Sequence, residues 1–178
     1  MKELFTRRSV RKYLDTKVKD EDVQKLLKAA MYAPSAINEQ PWEFIVVDDK
    51  NIIQDLGSVN TRSTFIFTVP LLIIVLGNKN KCKCPMYNQD LAAATQNILL
   101  EARHLGLGTC WIGVNSAPER IENIKNYFNL PEHIEPFSMI TVGYPENEDA
   151  FYFPLLSSWP SWLEASAFSI AVVQGEIP

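Results

Sequence analysis

Three guanidiniums and the Ser9 hydroxyl fall within Thr6-Arg7-Arg8-Ser9-Val10-Arg11. Planar guanidiniums take phosphate or carboxylate through paired N–H groups, and a serine adds a small neutral donor, so the segment has the composition of an anion grip. A solvated basic turn has the same composition, and only the surroundings can separate the two readings. A second polar cluster, Ala33-Pro34-Ser35-Ala36-Ile37-Asn38-Glu39-Gln40-Pro41-Trp42, is stiffened by prolines and presents Ser, Asn and Gln to a neighbour. Loops of this kind between rigid elements suit ligand contact. They equally suit a helix-to-strand connection in which Asn38 and Gln40 serve local backbone groups and Trp42 packs inside.

Other chemistries find less material. Cys82-Lys83-Cys84 invites a metal or redox reading, but zinc takes four N or S ligands and the chain holds only His104 and His133 beside Cys110. A reduced surface loop is the better reading, and no metal site is expected. Three cysteines form no even framework, which suits a reducing compartment and no structural disulfide. No Ser/His/Asp constellation or paired carboxylates stand out, and Gly106-Leu107-Gly108 lacks the strand-to-helix context of a dinucleotide fingerprint.

Composition narrows the partners. With 178 residues, 47% of them hydrophobic and 21% charged, the chain has material for one globular core. A formal net charge of -4 speaks against nucleic acid, whose phosphates demand clustered lysine and arginine. The longest apolar run, Phe65 to Leu76, is too short to span a bilayer as a helix, and the Met1 end lacks a secretory apolar stretch. The expectation is a cytoplasmic protein with no membrane partner.

The elements that must position these segments follow from periodicity. Asp20 to Ala33 sets Val23, Leu26, Leu27, Ala30 and Met31 at helical spacing, leaving Glu21, Asp22, Lys25 and Lys28 wet, until Pro34 stops the helix. Phe44 to Val47 reads as a buried strand, Asn51 to Leu56 as a helix, and Leu71 to Leu76 as a second strand entered at Pro70. Asn88 to Leu105 is the longest periodic segment and predicts a central helix closed by Gly106 in a left-handed cap. Thr109 to Val114 predicts a third strand. Ser116-Ala117-Pro118-Glu119 predicts a capping box opening a helix that buries Ile121, Ile124 and Phe128, and Phe137 to Val142 a fourth strand. Alternation without repeats or linkers implies helices layered on one sheet.

The end of the chain differs in kind. Phe151, Phe153, Trp159, Trp162 and Phe168 follow no period, and no Lys or Arg occurs after Lys125. Residues 146–178 are expected to be an atypical extension packing on a partner subunit, after a domain at 1–145.

Taken in order, Arg-Arg-Ser-x-Arg, a helix, Ala-Pro-Ser-Ala-x-Asn-x-Gln-Pro-Trp and a strand resemble the opening of nitroreductase-like flavoproteins. Asp90 to Leu100, running into Gly106-Leu-Gly-Thr-Cys-Trp-Ile-Gly113, is similar to that family's central helix and following strand. The likeness covers residues 4 to about 145.

The resemblance implies an α+β fold of three α/β/α layers, with helices around a mainly antiparallel sheet, in an intertwined homodimer. It implies bound FMN, its phosphate and ribityl chain held by Arg7, Arg8, Ser9 and Arg11. Pro34, Ser35, Ala36, Asn38 and Gln40 would meet the same flavin from the other subunit, and Asn60 would add a contact. The Ile112 N–H would face flavin N5, with Gly113 giving close approach, and no side chain would be catalytic. Ala36 stands where the family often has serine, and the tail lacks the family's late basic contact to phosphate. The implied reaction is ping-pong transfer from NAD(P)H through FMN to a small acceptor such as a nitroaromatic or quinone. The alternatives are a non-catalytic or weakly active flavin-binding protein, or a specialised member of dehalogenase-like or flavin-processing type. Those specialised members usually carry an added lid, and none is evident between Gly77 and Asp90.

Overall fold

Strand β1 spans Trp42–Val47 and β2 Leu71–Asn78. From Leu71 to Leu76, β2 is apolar at every position because neither of its faces meets water. Leu71, Ile73 and Val75 enter one core cluster, while Leu72, Ile74 and Leu76 enter another on the opposite side. Alternation of side chains across a strand produces this division, and each fully buried Leu or Ile contributes about 1.5–3 kcal/mol. With β3 (Gly108–Gly113) and β4 (Ile134–Gly143), these strands form one sheet in the order β1-β2-β4-β3, every neighbour antiparallel. The computed structural model describes residues 2–59 and 64–147.

Helices cover both faces. Along the chain they are α1 (Glu3–Thr6), α2 (Asp20–Met31), α3 (Lys50–Val59), α4 (Tyr87–His104) and α5 (Pro118–Tyr127). Leu26 and Ala30 of α2 join Leu91, Ala94, Ile98 and Ala102 of α4 on the first core cluster. Ile53 and Leu56 of α3 and Ile124 of α5 lie on the second. The α+β, three-layer arrangement expected of the chain is therefore present. On the first side, the buried Thr95 hydroxyl donates to Leu91 O at 2.8 Å and meets Ser138 Oγ at 3.1 Å, so neither polar group is left dry. Register slips between Val75 and Leu76, where β4 carries an extra residue at Phe137. Its carbonyl accepts from Val114 N and Asn115 N, turning the chain after β3.

Helix ends follow local chemistry. Asp49 Oδ1 accepts from Asn51 N at 2.8 Å and Ile52 N at 3.2 Å, capping α3. Gly106 adopts φ 77°, and paired bonds from Gly106 N to Arg103 O and from Leu107 N to Ala102 O close α4 in the expected left-handed motif.

Three expectations need correction. The capping box at Ser116 does not form: Pro118 takes the first helical position, so Ala117 becomes the cap residue, with no side-chain bond. Proline's fixed φ and missing N–H set that frame, leaving Ser116 one residue too early. Asp22 is buried rather than wet, its Oδ1 bonded to Lys25 Nζ at 2.8 Å, and this pairing is what lets the carboxylate lie against the protein. Met31, assigned to the core stripe, is 51% exposed because it closes α2 where no described element covers it.

Candidate cofactor site

The arginine-rich segment leaves α1 and runs along the outer edge of β3. Ser9 bridges Thr109 in parallel, and Val10 N donates to Thr109 O at 2.8 Å. Ser9 and Arg11 are exposed, and Arg7 is half-buried. Among the described residues no carboxylate pairs with Arg7 or Arg11. Burial and the like charge of Arg8 hold the Arg7 guanidinium below its ordinary range. Beneath this group lies the Cys110 thiol, pushed up by burial and drawn partly back by Arg11, Ser9 and Arg7. Arg11 also sits over the Phe65 ring at 5.8 Å. Arg8 differs, since its Nη1 turns back to the Arg7 carbonyl at 2.7 Å.

At the other end of the same edge stand Ile112 and Gly113. Ile112 is buried, and the Gly113 carbonyl accepts from Arg120 Nη1 at 2.7 Å. The strand rise from Thr109 to Gly113 is about 14 Å. One edge of β3 thus carries cationic donors at one end and strand backbone at the other, the span of a phosphorylated chain with a ring attached. Trp111 packs inside, its ring 6.0 Å from that of Phe137.

The proline-flanked loop lies elsewhere. Ala36 N donates to Asp90 Oδ1 at 3.0 Å, tying the loop to the first turns of α4. The Glu39 carboxylate accepts from Lys83 N and Cys84 N, and Ser35 Oγ accepts from Gln40 N at 3.0 Å. Gln40 Nε2 donates to Asn38 Oδ1 at 3.2 Å. Ile37, Asn38 and Gln40 all hold positive φ, at 44°, 59° and 49°. Left-handed backbone in non-glycine residues costs on the order of 1–3 kcal/mol each and persists where surrounding bonds enforce it. Pro34 is exposed, and Ile37 is 75% exposed.

The two polar segments therefore do not meet within one chain. Thr6, beside the arginines, accepts from Arg103 near the C-terminal end of α4, whereas the loop is fastened to Asp90 near its N-terminal end. The helix rise between those positions is about 20 Å. The loop also enters β1, at the edge of the sheet opposite β3. Asn60 lies outside the described residues, as do Phe151, Phe153, Trp159, Trp162 and Phe168 of the tail. Cys82 and Cys84 are free thiols, and burial beside Glu39 and Asp90 pushes Cys82 up. Among the described residues no cluster of three or more His, Cys, Asp or Glu is placed to hold a metal. None of the described helices is long and apolar enough to cross a membrane.

The sequence profile of the nitroreductase family matches residues 4–64 and 58–144. The chain belongs to the nitroreductase family. An Archaeoglobus fulgidus member, provisionally named NADH dehydrogenase/NAD(P)H nitroreductase, is 44% identical over 154 residues, covering 85% of this chain and 88% of its own. A provisionally named NADH oxidase of Clostridium acetobutylicum is 45% identical in its crystal structure, with a TM-score of 0.83 over 86% of this chain and 93% of that one. An FMN-dependent nitroreductase of Clostridium difficile R20291 is 35% identical, with a TM-score of 0.78 over 85% of this chain and 90% of that one. Within this nitroreductase-family chain, Asp90, Arg120 and Tyr13 are polar residues of the site region that motif reading passed over. Asp90 stood inside a quoted motif and offered a signal; Arg120 and Tyr13 offered none without strand register.

Proposed function

We propose that the chain is an FMN-dependent oxidoreductase that takes hydride from NAD(P)H and passes it to a small acceptor such as a nitroaromatic or quinone, as a homodimer. The observation that carries this reading is the β3 edge, with Arg7, Ser9 and Arg11 at one end and Ile112-Gly113 at the other. The donor set suits a phosphate: a half-buried guanidinium without a carboxylate partner, a second guanidinium and an exposed hydroxyl. Bound FMN would supply the redox chemistry, accepting hydride from one ligand and delivering it to the next. The chain's own task would then be to bind and orient. Arg7, Ser9 and Arg11, with a smaller part for Arg8, would hold the phosphate end. The Gly113 N–H, on the outer edge with Thr109 O, would address the ring, whereas the Ile112 N–H expected there turns toward β4. Pro34, Ser35, Asn38 and Gln40 would approach from the partner. Ala36 would contribute contact without a donor, since its N–H is engaged by Asp90.

Exposed apolar residues support the dimer. Leu4 and Tyr32 line a groove with Ala29 and Leu100, while Phe5 is 71% and Tyr32 77% exposed. Aromatic surface of this kind marks interfaces. Sizing places the association, and an absorbance spectrum with NADH or NADPH oxidation, with and without added FMN and a quinone, tests the activity. A yellow dimer whose turnover requires FMN is expected. Failure to bind added FMN overturns the reading, and a flavin-loaded chain without turnover makes it a carrier.

A further inference from the structure

We propose that Tyr13 is the positioning residue that sets the arginine segment over β3 and so fixes affinity for the flavin phosphate. The proposal rests on the FMN reading above. Tyr13 is buried, and its hydroxyl donates to Val10 O, the carbonyl between Ser9 and Arg11. With its proton on Val10 O, the same hydroxyl accepts from Thr141 Oγ1 on β4 at 2.7 Å, and Thr141 Oγ1 lies 3.4 Å from Cys110 O on β3. A buried hydroxyl pair thus links the donor segment to β4 beneath it. Burial drives the Tyr13 phenol far above its usual range, so it stays a neutral donor at any working pH.

The surrounding backbone is built for this contact. Gly108 and Gly143 face each other in register across β3 and β4. A Cβ on Gly108 would come within 2.8 Å of Val10, and one on Gly143 within 2.9 Å of the Tyr13 ring. The absence of both side chains lets the N-terminal segment lie flat on the strand ends. Leu14 N donates to Tyr144 O and Glu146 N to Lys12 O, so the segment is zipped on both sides of Tyr13. Between these anchors and Val10 N–Thr109 O, the tyrosine hydroxyl is the side-chain tie that sets where Arg7, Ser9 and Arg11 stand.

Tyr13→Phe retains the ring against Gly143 and removes only the hydroxyl. Thr141→Val removes the second hydroxyl at nearly constant shape, and Thr141→Ser restores it. Each purified full-length variant is titrated with FMN and with riboflavin, which lacks the phosphate. Tyr13→Phe and Thr141→Val are expected to lose about tenfold in FMN affinity while riboflavin affinity stays put, with Thr141→Ser close to wild type. Equal losses for both flavins, or unchanged FMN binding in Tyr13→Phe and Thr141→Val, overturn the positioning role while leaving the FMN reading intact. Wild-type protein that binds neither flavin overturns both. Should Tyr13→Phe not fold, the Thr141 pair decides the matter alone.

Discussion

Arg7 shows how a single side chain can be prepared for a ligand. Burial and the neighbouring Arg8 both disfavour its charge, and no described carboxylate compensates. An arriving phosphate would relieve that deficit and so be worth more to Arg7 than to a fully solvated guanidinium. Arg7→Ala is expected to weaken FMN binding by about 1–3 kcal/mol, roughly ten- to a hundred-fold, with Arg11→Ala toward the lower end. Arg8→Ala should do less, because that guanidinium turns to the Arg7 carbonyl. Flavin fluorescence titration at fixed salt measures all three, and an Arg7→Ala chain that binds as wild type removes Arg7 from the site. The arginines were legible in the sequence because their meaning is local: side-chain type and spacing are enough to suggest an anion. Arg120 and Tyr13 were not, because their roles depend on strand geometry that only the fold supplies. Tyr13 meets Thr141 only through the register of β4, a relation that no window of adjacent residues contains.

Most elements were legible for the reason that their signals are periodic. The core stripes of α2 and α4 and the unbroken apolar run of β2 report burial directly, and Gly106 marks the end of α4 with the conformation it alone takes easily. The start of α5 was misread because two signals compete over a few residues. A serine three positions before a glutamate suggests a capping box, but the intervening Pro118 claims the first helical turn and shifts the cap to Ala117. The shift makes a paired prediction. Ser116→Ala should change stability by less than about 0.5 kcal/mol, as for an ordinary surface site. Ala117→Ser should stabilise by about 0.5–1 kcal/mol, because a hydroxyl there can accept from the N–H groups at the start of the helix. Urea unfolding of the two variants decides it, and a destabilised Ser116→Ala with a neutral Ala117→Ser would restore the capping box. The loop before β1 was only half legible. Its prolines and polar residues announced irregular structure, but not the three left-handed residues, since asparagine tolerates that conformation and isoleucine ordinarily does not.

At the scale of the whole molecule, the separation of the two polar segments becomes a prediction about two chains. Both cannot serve one flavin within a protomer, because α4 holds them about 20 Å apart along its axis and the loop enters the sheet at the far edge. If each site takes arginines from one chain and the loop from its partner, defects in the two segments must complement. A homodimer of Arg7→Ala has two damaged sites, as does a homodimer of Asn38→Ala. Mixing them produces heterodimers in which both substitutions fall in one site and the other site is wild type. Free exchange at equal concentrations makes half the dimers mixed, so about a quarter of all sites should recover tight FMN binding. Sites built within single chains would recover none, since every site in every mixed dimer would still carry one substitution. Unfolding and refolding the two variants together, then counting tight sites by FMN titration, separates the outcomes. Recovery near a quarter makes the dimer part of the cofactor site, and recovery of zero confines the site to one protomer whatever its oligomeric state.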